Sequence, residues 1–383
     1  MLNNFSNKKK LFLVLLVLFI FSLGVFILYK FYFKPDIQLK TEKKTGNINV
    51  LLLGKAGGQH EGPDLTDTII LATINPQKNV VNLISIPRDL WIPDLQAKIN
   101  TAYAYGQEKD RQGKLLAKTA VSQVTEKQID YVLVVDFQAF VDLIDHIGGI
   151  DVGVKTILDD YKYPIEGRED DPCDHTDEEI IDLSAQIATG SALPEDVFPC
   201  RYKHIHFDAG LVHMDGERAL EFVRSRHGTN GQGSDFARSM RQQDVINAVR
   251  DKTLSLGTLL NPIKVLGAFN IIQNNIDTNA EIRELDDFIN LARKIQGAKI
   301  ISTVIDIGSG EGQRPGLLIH PPVSEAQKLQ WVLIPRVGDG NFSEIHEFIK
   351  CIEEGFECKI EEDGISKNTT SIKSTKSTRN IKD

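Results

Sequence analysis

Asn49-Val50-Leu51-Leu52-Leu53-Gly54 is a short, nearly continuous apolar run closed by a glycine. A run of that length, bounded by a turn residue, is the pattern of a buried strand. Thr68–Ile74 and Val80–Ile86 repeat it with Ile, Val and Leu, and Asn75-Pro76-Gln77-Lys78-Asn79 between them reads as a turn. Leu115–Lys127 reads as a helix and Tyr131–Val135 as another buried strand. Phe137–Ile147 is helical, with Phe140, Leu143, Ile144 and Ile147 apolar, and Gly148-Gly149 stops it. Strands alternating with helices predict an α/β protein layered around one sheet. Further on, Gly216–Phe222, Arg238–Leu256 and Glu281–Ile295 read as helices, and Ile300–Ile305 and Trp331–Ile334 as closing strands.

The chain has 383 residues, 41% hydrophobic and 25% charged, which is ordinary for a globular protein. Its net charge of −9 argues against non-specific nucleic-acid binding, so any phosphate recognition is local. Leu11–Leu28 is apolar except for Ser22 and Gly24, and Lys8, Lys9 and Lys10 precede it. That length spans a bilayer, and the lysines place the N-terminus in the cytoplasm. A cleaved signal peptide has a shorter apolar core and a small-residue cleavage site, which Tyr29-Lys30-Phe31-Tyr32-Phe33 does not supply. The expected layout is therefore a cytoplasmic 1–10, a single-pass membrane anchor at 11–33 and a linker at 34–46. An extracytoplasmic domain follows at 47–350, with a tail at 351–383 disordered from about 361.

Four cysteines in an exported domain predict disulfides, most simply Cys173–Cys200 and Cys351–Cys358. A metal site is the rival, because His175, His204 and His206 lie near Cys173 and Cys200, but their spacing fits no standard zinc pattern. The acidic stretch at about 159–203, with scattered proline and little periodicity, reads as a surface insertion.

Phe222–Gln243 carries the strongest chemical signal. Arg224 and Arg226 are two apart, so on an extended segment both guanidinium groups share a face. After a Gly-rich loop, Asp235, Arg238 and Gln242 fall on one helical stripe, and Ser234 or Asp235 is placed to cap that helix. Arginines converging on a helix start suit a multiply charged phosphate. A solvated basic helix is the plainer alternative. Arg88-Asp89 ends the third strand, where ligands of α/β sheets gather, and Lys98 is a further donor. Asp67, at the mouth of the second strand, either holds a hard cation such as Mg²⁺ or caps the strand; His60, Glu61 and Asp64 precede it. Gly54-Lys55-Ala56-Gly57-Gly58 lacks the Lys-Ser/Thr of a phosphate loop. There is no Gly-x-Ser-x-Gly elbow and no His-Glu-x-x-His. Arginines with a few carboxylates fit phosphoryl transfer, where positioning and charge neutralisation do most of the catalysis.

In order, Asn49–Gly54, Thr66-Asp67-Thr68, Ser85–Asp89, Lys98-Ile99-Asn100, Ala102–Gly106, Val135-Asp136-Phe137 and Ile147–Val152 make a set that continues with Met214–Leu220, Val223–His227, Asp235–Arg238 and Arg241-Gln242-Gln243. This ordered set resembles the LytR-CpsA-Psr family of membrane-anchored glycopolymer transferases. The resemblance implies a three-layer α/β/α sandwich around a central mixed sheet, outside the membrane, with an apolar pocket for a polyprenyl chain. It implies Mg²⁺-dependent transfer of a glycopolymer from a polyprenyl-pyrophosphate lipid to a peptidoglycan sugar hydroxyl, with polyprenyl phosphate released. By position, Arg88, Arg224, Arg226 and Arg238 would hold the pyrophosphate, with Lys98, Arg241 and Gln242 assisting. Asp67 would hold the metal, and Asp89 or Asp235 would orient or deprotonate the acceptor. The family's second metal-site Asp is replaced here by Ala56, and Leu65 stands where an Arg often precedes Ser-Asp-Thr. A pyrophosphate hydrolase on the same scaffold and a non-catalytic lipid or glycan binder are the competing readings.

Overall fold

The computed structural model describes residue 39 and residues 46–58, 62–253, 255, 267–268, 270–272, 275–309 and 314–368. The anchor expected at 11–33, the cytoplasmic 1–10, nearly all of the linker and the end of the tail lie outside the described residues. Among the described residues no helix is long and apolar enough to cross a membrane.

The chain runs through β1 (Ile48–Lys55), β2 (Thr66–Asn75), β3 (Val80–Ser85), α1 (Thr101–Glu108), α2 (Gly113–Thr125), β4 (Tyr131–Val135) and α3 (Phe137–Ile147). It continues with β5 (Ile150–Val154), β6 (Leu158–Pro164), α4 (Asp177–Ala188), β7 (Tyr202–Phe207), β8 (Gly210–Met214), α5 (Gly216–Arg224) and α6 (Asp235–Thr253). Then come β9 (Asp277–Thr278), α7 (Leu285–Lys294), β10 (Lys299–Val304), α8 (Ser343–Glu354), β11 (Glu357–Glu361) and β12 (Gly364–Asn368). Two units emerge: Met1–Leu39 with Glu281–Gln296, and Lys40–Ala280 with Gly297–Asp383.

The larger unit is built on a six-stranded sheet in the order β9-β4-β1-β2-β3-β10. β1 pairs parallel to β4 and antiparallel to β2, and β3 pairs antiparallel to β2 and parallel to β10, so the sheet is mixed. The β2–β3 turn forms where the sequence predicts it, with Lys78 N donating to Asn75 Oδ1 at 2.7 Å. Side chains alternate across the strands. Leu53, Leu71 and Ile84 face one side and form a core with Tyr103, Val121, Val124, Phe348 and Ile349 of α1, α2 and α8. Ser85, next to Ile84, faces the other side and accepts from Gln243 of α6 at 2.8 Å. Helices thus cover both faces. Burying each large aliphatic side chain here contributes about 1.5–3 kcal/mol.

A second core joins α3, α5 and α6 to β5–β8 through Ile144, Val152, Leu158, Phe207, Phe222 and Val245. Asp136 caps α3 by accepting from Ala139 N at 2.8 Å. Gly148 ends it at φ +84°, a left-handed position that glycine adopts without a Cβ penalty. The stretch read as an aperiodic insertion is ordered: β6 and β7 pair antiparallel at its ends. Inside it lies α4, opened by a Thr176–Glu179 capping box. The Cys173–Cys200 and Cys351–Cys358 disulfides both form. Cys173 and Cys200 are therefore not thiolate metal ligands, which removes the rival cysteine–histidine site.

Two expectations near the C-terminus are corrected. Disorder does not begin at 361, because β12 pairs with β11 across a turn at Glu362-Asp363, and Cys358 ties that hairpin to α8. Trp331–Ile334 is not a long closing strand: Ile334–Pro335 pairs with Leu318–Ile319, and Leu333 makes a single bridge to Leu90. In the smaller unit, Asp286 and Asp287 open α7 and Arg293 and Lys294 close it, each matching the helix dipole.

Candidate active site

Asp67 is the second residue of β2 and is half exposed. Arg88 follows β3 directly after Pro87, and its Nη1 donates to Asp67 Oδ1 at 2.8 Å. Arg226 arrives from the loop after α5 and donates through Nη2 to Asp67 Oδ2 at 3.2 Å. One carboxylate therefore gathers two guanidinium groups at the end of the sheet where β1 and β3 finish. Exposed ion pairs of this kind contribute only about 0–1 kcal/mol each, so the cluster does little for stability. Its arginines remain accessible to an anion, with side chains 26% and 41% exposed.

Asp89 supports the same cations from behind. It is buried; its Oδ1 accepts from Lys98 Nζ at 2.7 Å and its Oδ2 lies 3.4 Å from Arg88 Nε. Lys98 is brought there by the short pairing of Ala97–Lys98 with Trp91–Ile92. The acid expected to act on the acceptor thus touches two of the donors expected to bind the phosphate.

α6 enters from the opposite face. Ser234 caps it, its Oγ accepting from Ala237 N at 3.1 Å. The side chain of Asp235 lies outside the described residues. Gln242 donates to Oγ1 of Thr68, the residue after Asp67, at 2.8 Å. Arg238 is buried one turn earlier.

Arg241 is placed differently from the expectation that it binds substrate. It is buried, and its guanidinium donates to three backbone carbonyls: Phe222 O at 2.9 Å, Gln232 O at 2.7 Å and Ser225 O at 2.5 Å. The first belongs to the last turn of α5 and the other two to the irregular loop after it, where helix bonds no longer satisfy the carbonyls, and buried carbonyls need donors. Burial, with Arg238 nearby, pushes its pKa down to about 10, which leaves it charged at neutral pH. Arg241 shapes the loop that carries Arg226.

Arg224 is also repositioned. It is the last residue of α5, so it does not share an extended face with Arg226. Its guanidinium stacks 4.1 Å from the Phe137 ring and 5.7 Å from Tyr163. Burial pushes the Tyr163 phenol up to about 12.

Asp160 is an organiser that the sequence reading did not single out. It is fully buried, and its Oδ2 accepts from Ser225 Oγ at 2.7 Å and from His227 N at 3.2 Å. Those two bonds bracket Arg226 in the chain. The available signal was an acid at an inward position between Leu158 and Tyr163.

The glycine stretch after β1 is a turn. Lys55 is held by Asp64 at 2.6 Å, and Gly57, at φ +72°, donates its N–H to Pro63 O. Mg²⁺ takes hard oxygens, commonly one or two carboxylates with phosphate oxygens. Near the strand mouths Asp67 is the exposed carboxylate of the arginine cluster; Asp89 is engaged by Lys98 and Arg88, Asp136 caps α3, Asp64 is engaged by Lys55, residue 56 is alanine, and His60 and Glu61 lie outside the described residues. Both Asp67 oxygens already accept from arginine. This donor set does not hold Mg²⁺ by itself; it fits an ion that brings phosphate oxygens with it.

The model of the LytR_cpsA_psr family matches residues 30–313, which include every site residue named above. The chain belongs to the LytR_cpsA_psr family. Among relatives of this LytR_cpsA_psr protein, the polyisoprenyl-teichoic acid–peptidoglycan teichoic acid transferase TagU of Bacillus mycoides is 29% identical over 240 residues. TagU of Bacillus cereus is 30% identical over 241 residues. Each match takes in 62% of this chain and 61% of the relative, so the chain spans less than two thirds of their length. The crystal structure of Bacillus subtilis TagV shares the fold, with a TM-score of 0.53 at 22% identity over 80% of this chain and 97% of that one.

Proposed function

We propose that this LytR_cpsA_psr protein is a phosphotransferase, built as a three-layer α/β/α sandwich. It moves a glycopolymer from a polyprenyl-pyrophosphate lipid to a peptidoglycan sugar hydroxyl. The observation that carries the reading is the gathering of Arg88 and Arg226 on Asp67, with Lys98 linked through Asp89. Guanidinium groups are planar donors matched to phosphate oxygens, and phosphoryl transfer needs charge neutralisation more than covalent help. The names of the TagU relatives support the lipid-linked polymer and the peptidoglycan acceptor.

In the reaction the acceptor oxygen bonds to the glycan-bearing phosphorus, and that phosphorus loses its bridging oxygen to the departing polyprenyl phosphate. The hydroxyl proton passes to a carboxylate, for which Asp89 and Asp235 are the candidates. Arg88 and Arg226 bind the non-bridging oxygens, while Lys98 and Gln242 complete the polar rim. Arg238 contributes positive charge from α6, and Arg224 flanks the site from the end of α5. Asp67 would hold Mg²⁺, which when bound offsets phosphate charge. The apolar run Leu11–Leu28 behind Lys8–Lys10 supports a single-pass anchor at 11–33 that keeps the domain outside the cell at the membrane surface, where its lipid substrate lies.

The test incubates the full-length chain with a synthetic polyprenyl-pyrophosphoryl glycan, with and without peptidoglycan fragments, and with Mg²⁺ or a chelator. Acceptor-dependent joining of glycan to peptidoglycan, lost in Arg88→Ala and Arg226→Ala, is the expected result. Phosphate release that needs no acceptor identifies a hydrolase, and lipid binding without turnover overturns the enzyme reading.

A further inference from the structure

The β6–β7 hairpin carries a second cluster that the proposed transfer does not use. His204 and His206 are two apart on β7, between the inward-facing Ile205 and Phe207, so both imidazoles project from the outer face. Asp159 stands directly opposite His206 across the hairpin. Its Oδ1 accepts from His204 Nε2 at 2.8 Å and from His206 Nδ1 at 2.8 Å. Two imidazole nitrogens and one carboxylate oxygen therefore converge, all within 4.8 Å of one another.

Two surroundings prepare these groups for an ion rather than for simple pairing. The second nitrogen of His206, Nε2, lies 3.2 Å from Asp208 Oδ1. When an ion takes the place of the proton on Nδ1, Nε2–H is left to donate to this carboxylate, the usual support of a metal-bound histidine. The His204 ring stacks flat on Tyr161, with centroids 4.0 Å apart and planes 3° from parallel. That stacking holds Nε2 in place without using it.

We propose that Asp159, His204 and His206 form a binding site for a divalent transition-metal ion of the zinc class on the outer face of this hairpin. Two nitrogens and one oxygen select zinc-like ions over Mg²⁺ or Ca²⁺, which prefer oxygen. At zinc bond lengths of about 2.0–2.2 Å, tetrahedral ligand atoms lie roughly 3.3 Å apart. The 2.8 Å contacts open by a few tenths of an ångström as the ion replaces the shared protons. Three protein ligands leave a coordination position for water or another ligand. The backbone carbonyl of Asp159 accepts from Thr229 N at 2.8 Å, and neighbouring Asp160 holds Ser225 and His227. An ion on Asp159 thus braces the hairpin against the loop that presents Arg226.

The experiment uses the full-length chain without a histidine tag, freed of metal and titrated with Zn²⁺ against a chromophoric chelator. Wild-type protein is compared with the His204→Ala/His206→Ala double variant, with Asp208→Asn, and with His213→Ala as a control, since His213 pairs with Asp151 elsewhere. Thermal melting of the metal-free proteins verifies that each variant folds. The expected result is one Zn²⁺ per chain in wild type and His213→Ala, and none in the double variant. Asp208→Asn should bind about 10–100-fold more weakly, the usual effect of removing such a support. Zn²⁺ should raise the melting temperature of wild type but not of the double variant. Equal zinc retention by wild type and the double variant, or none by either, overturns the proposal.

Discussion

Arg226 donates through Nη2 to Oδ2 of Asp67 at 3.2 Å, across 159 residues of sequence. Arg88 takes the other oxygen of the same carboxylate. Because these pairs are exposed, Asp67→Asn and Arg226→Ala should each change unfolding free energy by less than about 1 kcal/mol. On the transferase reading, Arg226→Ala should slow glycan transfer by about 100-fold or more, the scale for removing one donor to developing charge. Urea unfolding measured beside turnover separates the two effects. A variant that loses both equally would show that the pair is structural.

Arg241 predicts the reverse. Its guanidinium satisfies three carbonyls inside the protein, so Arg241→Ala leaves buried acceptors without a donor. A loss of about 3 kcal/mol or more is expected from denaturant unfolding. Arg241→Lys should recover only a small part, because one ammonium does not span three carbonyls in different directions.

Tyr163 gives a pH dependence. Its phenol is pushed from about 10 in the unfolded chain up to about 12 in the folded one by burial. The folded state therefore holds its proton more tightly, and this contribution is complete below pH 10. It is lost as pH rises toward 12, by up to about 1.4 kcal/mol per unit. Tyr163→Phe should flatten that part of an alkaline stability profile. An equally steep profile in Tyr163→Phe would assign the loss to other groups.

The disulfides differ in what they hold. Cys173–Cys200 closes a separation of 27 residues, and Cys351–Cys358 one of 7. Loop entropy makes the first worth about 3 kcal/mol and the second less. None of the residues of α4 is buried, so the longer bridge and the capping box carry that segment. In Cys173→Ala/Cys200→Ala, hydrogen exchange should accelerate across Asp177–Ala188 and remain slow in β1 and β2.

Much of the fold was legible because its signals are local. Apolar runs located β1 to β4, Gly148 located the end of α3, and the cysteine count anticipated both bridges. The insertion was less legible. The α4 sequence buries nothing, so it carries no strong periodicity, and its boundaries follow from a cap and a disulfide. The three imidazoles near the cysteines were visible as a group, but not that two would meet Asp159 once the thiols were oxidised.

The arginines mark the same division. Residue type and spacing by themselves identified Arg88, Arg226 and Asp67 as charged groups at the ends of strands and in a glycine loop. They did not distinguish Arg226, which faces outward, from Arg241, which is consumed by backbone carbonyls, or from Arg224, which stacks on Phe137. That choice depends on which unpaired carbonyls and aromatic faces the packed loop brings within reach. Strand and helix signals are written in neighbours along the chain, whereas the partner of a long charged side chain is set by groups as distant as 159 residues that meet only after the sheet and both helical faces have formed.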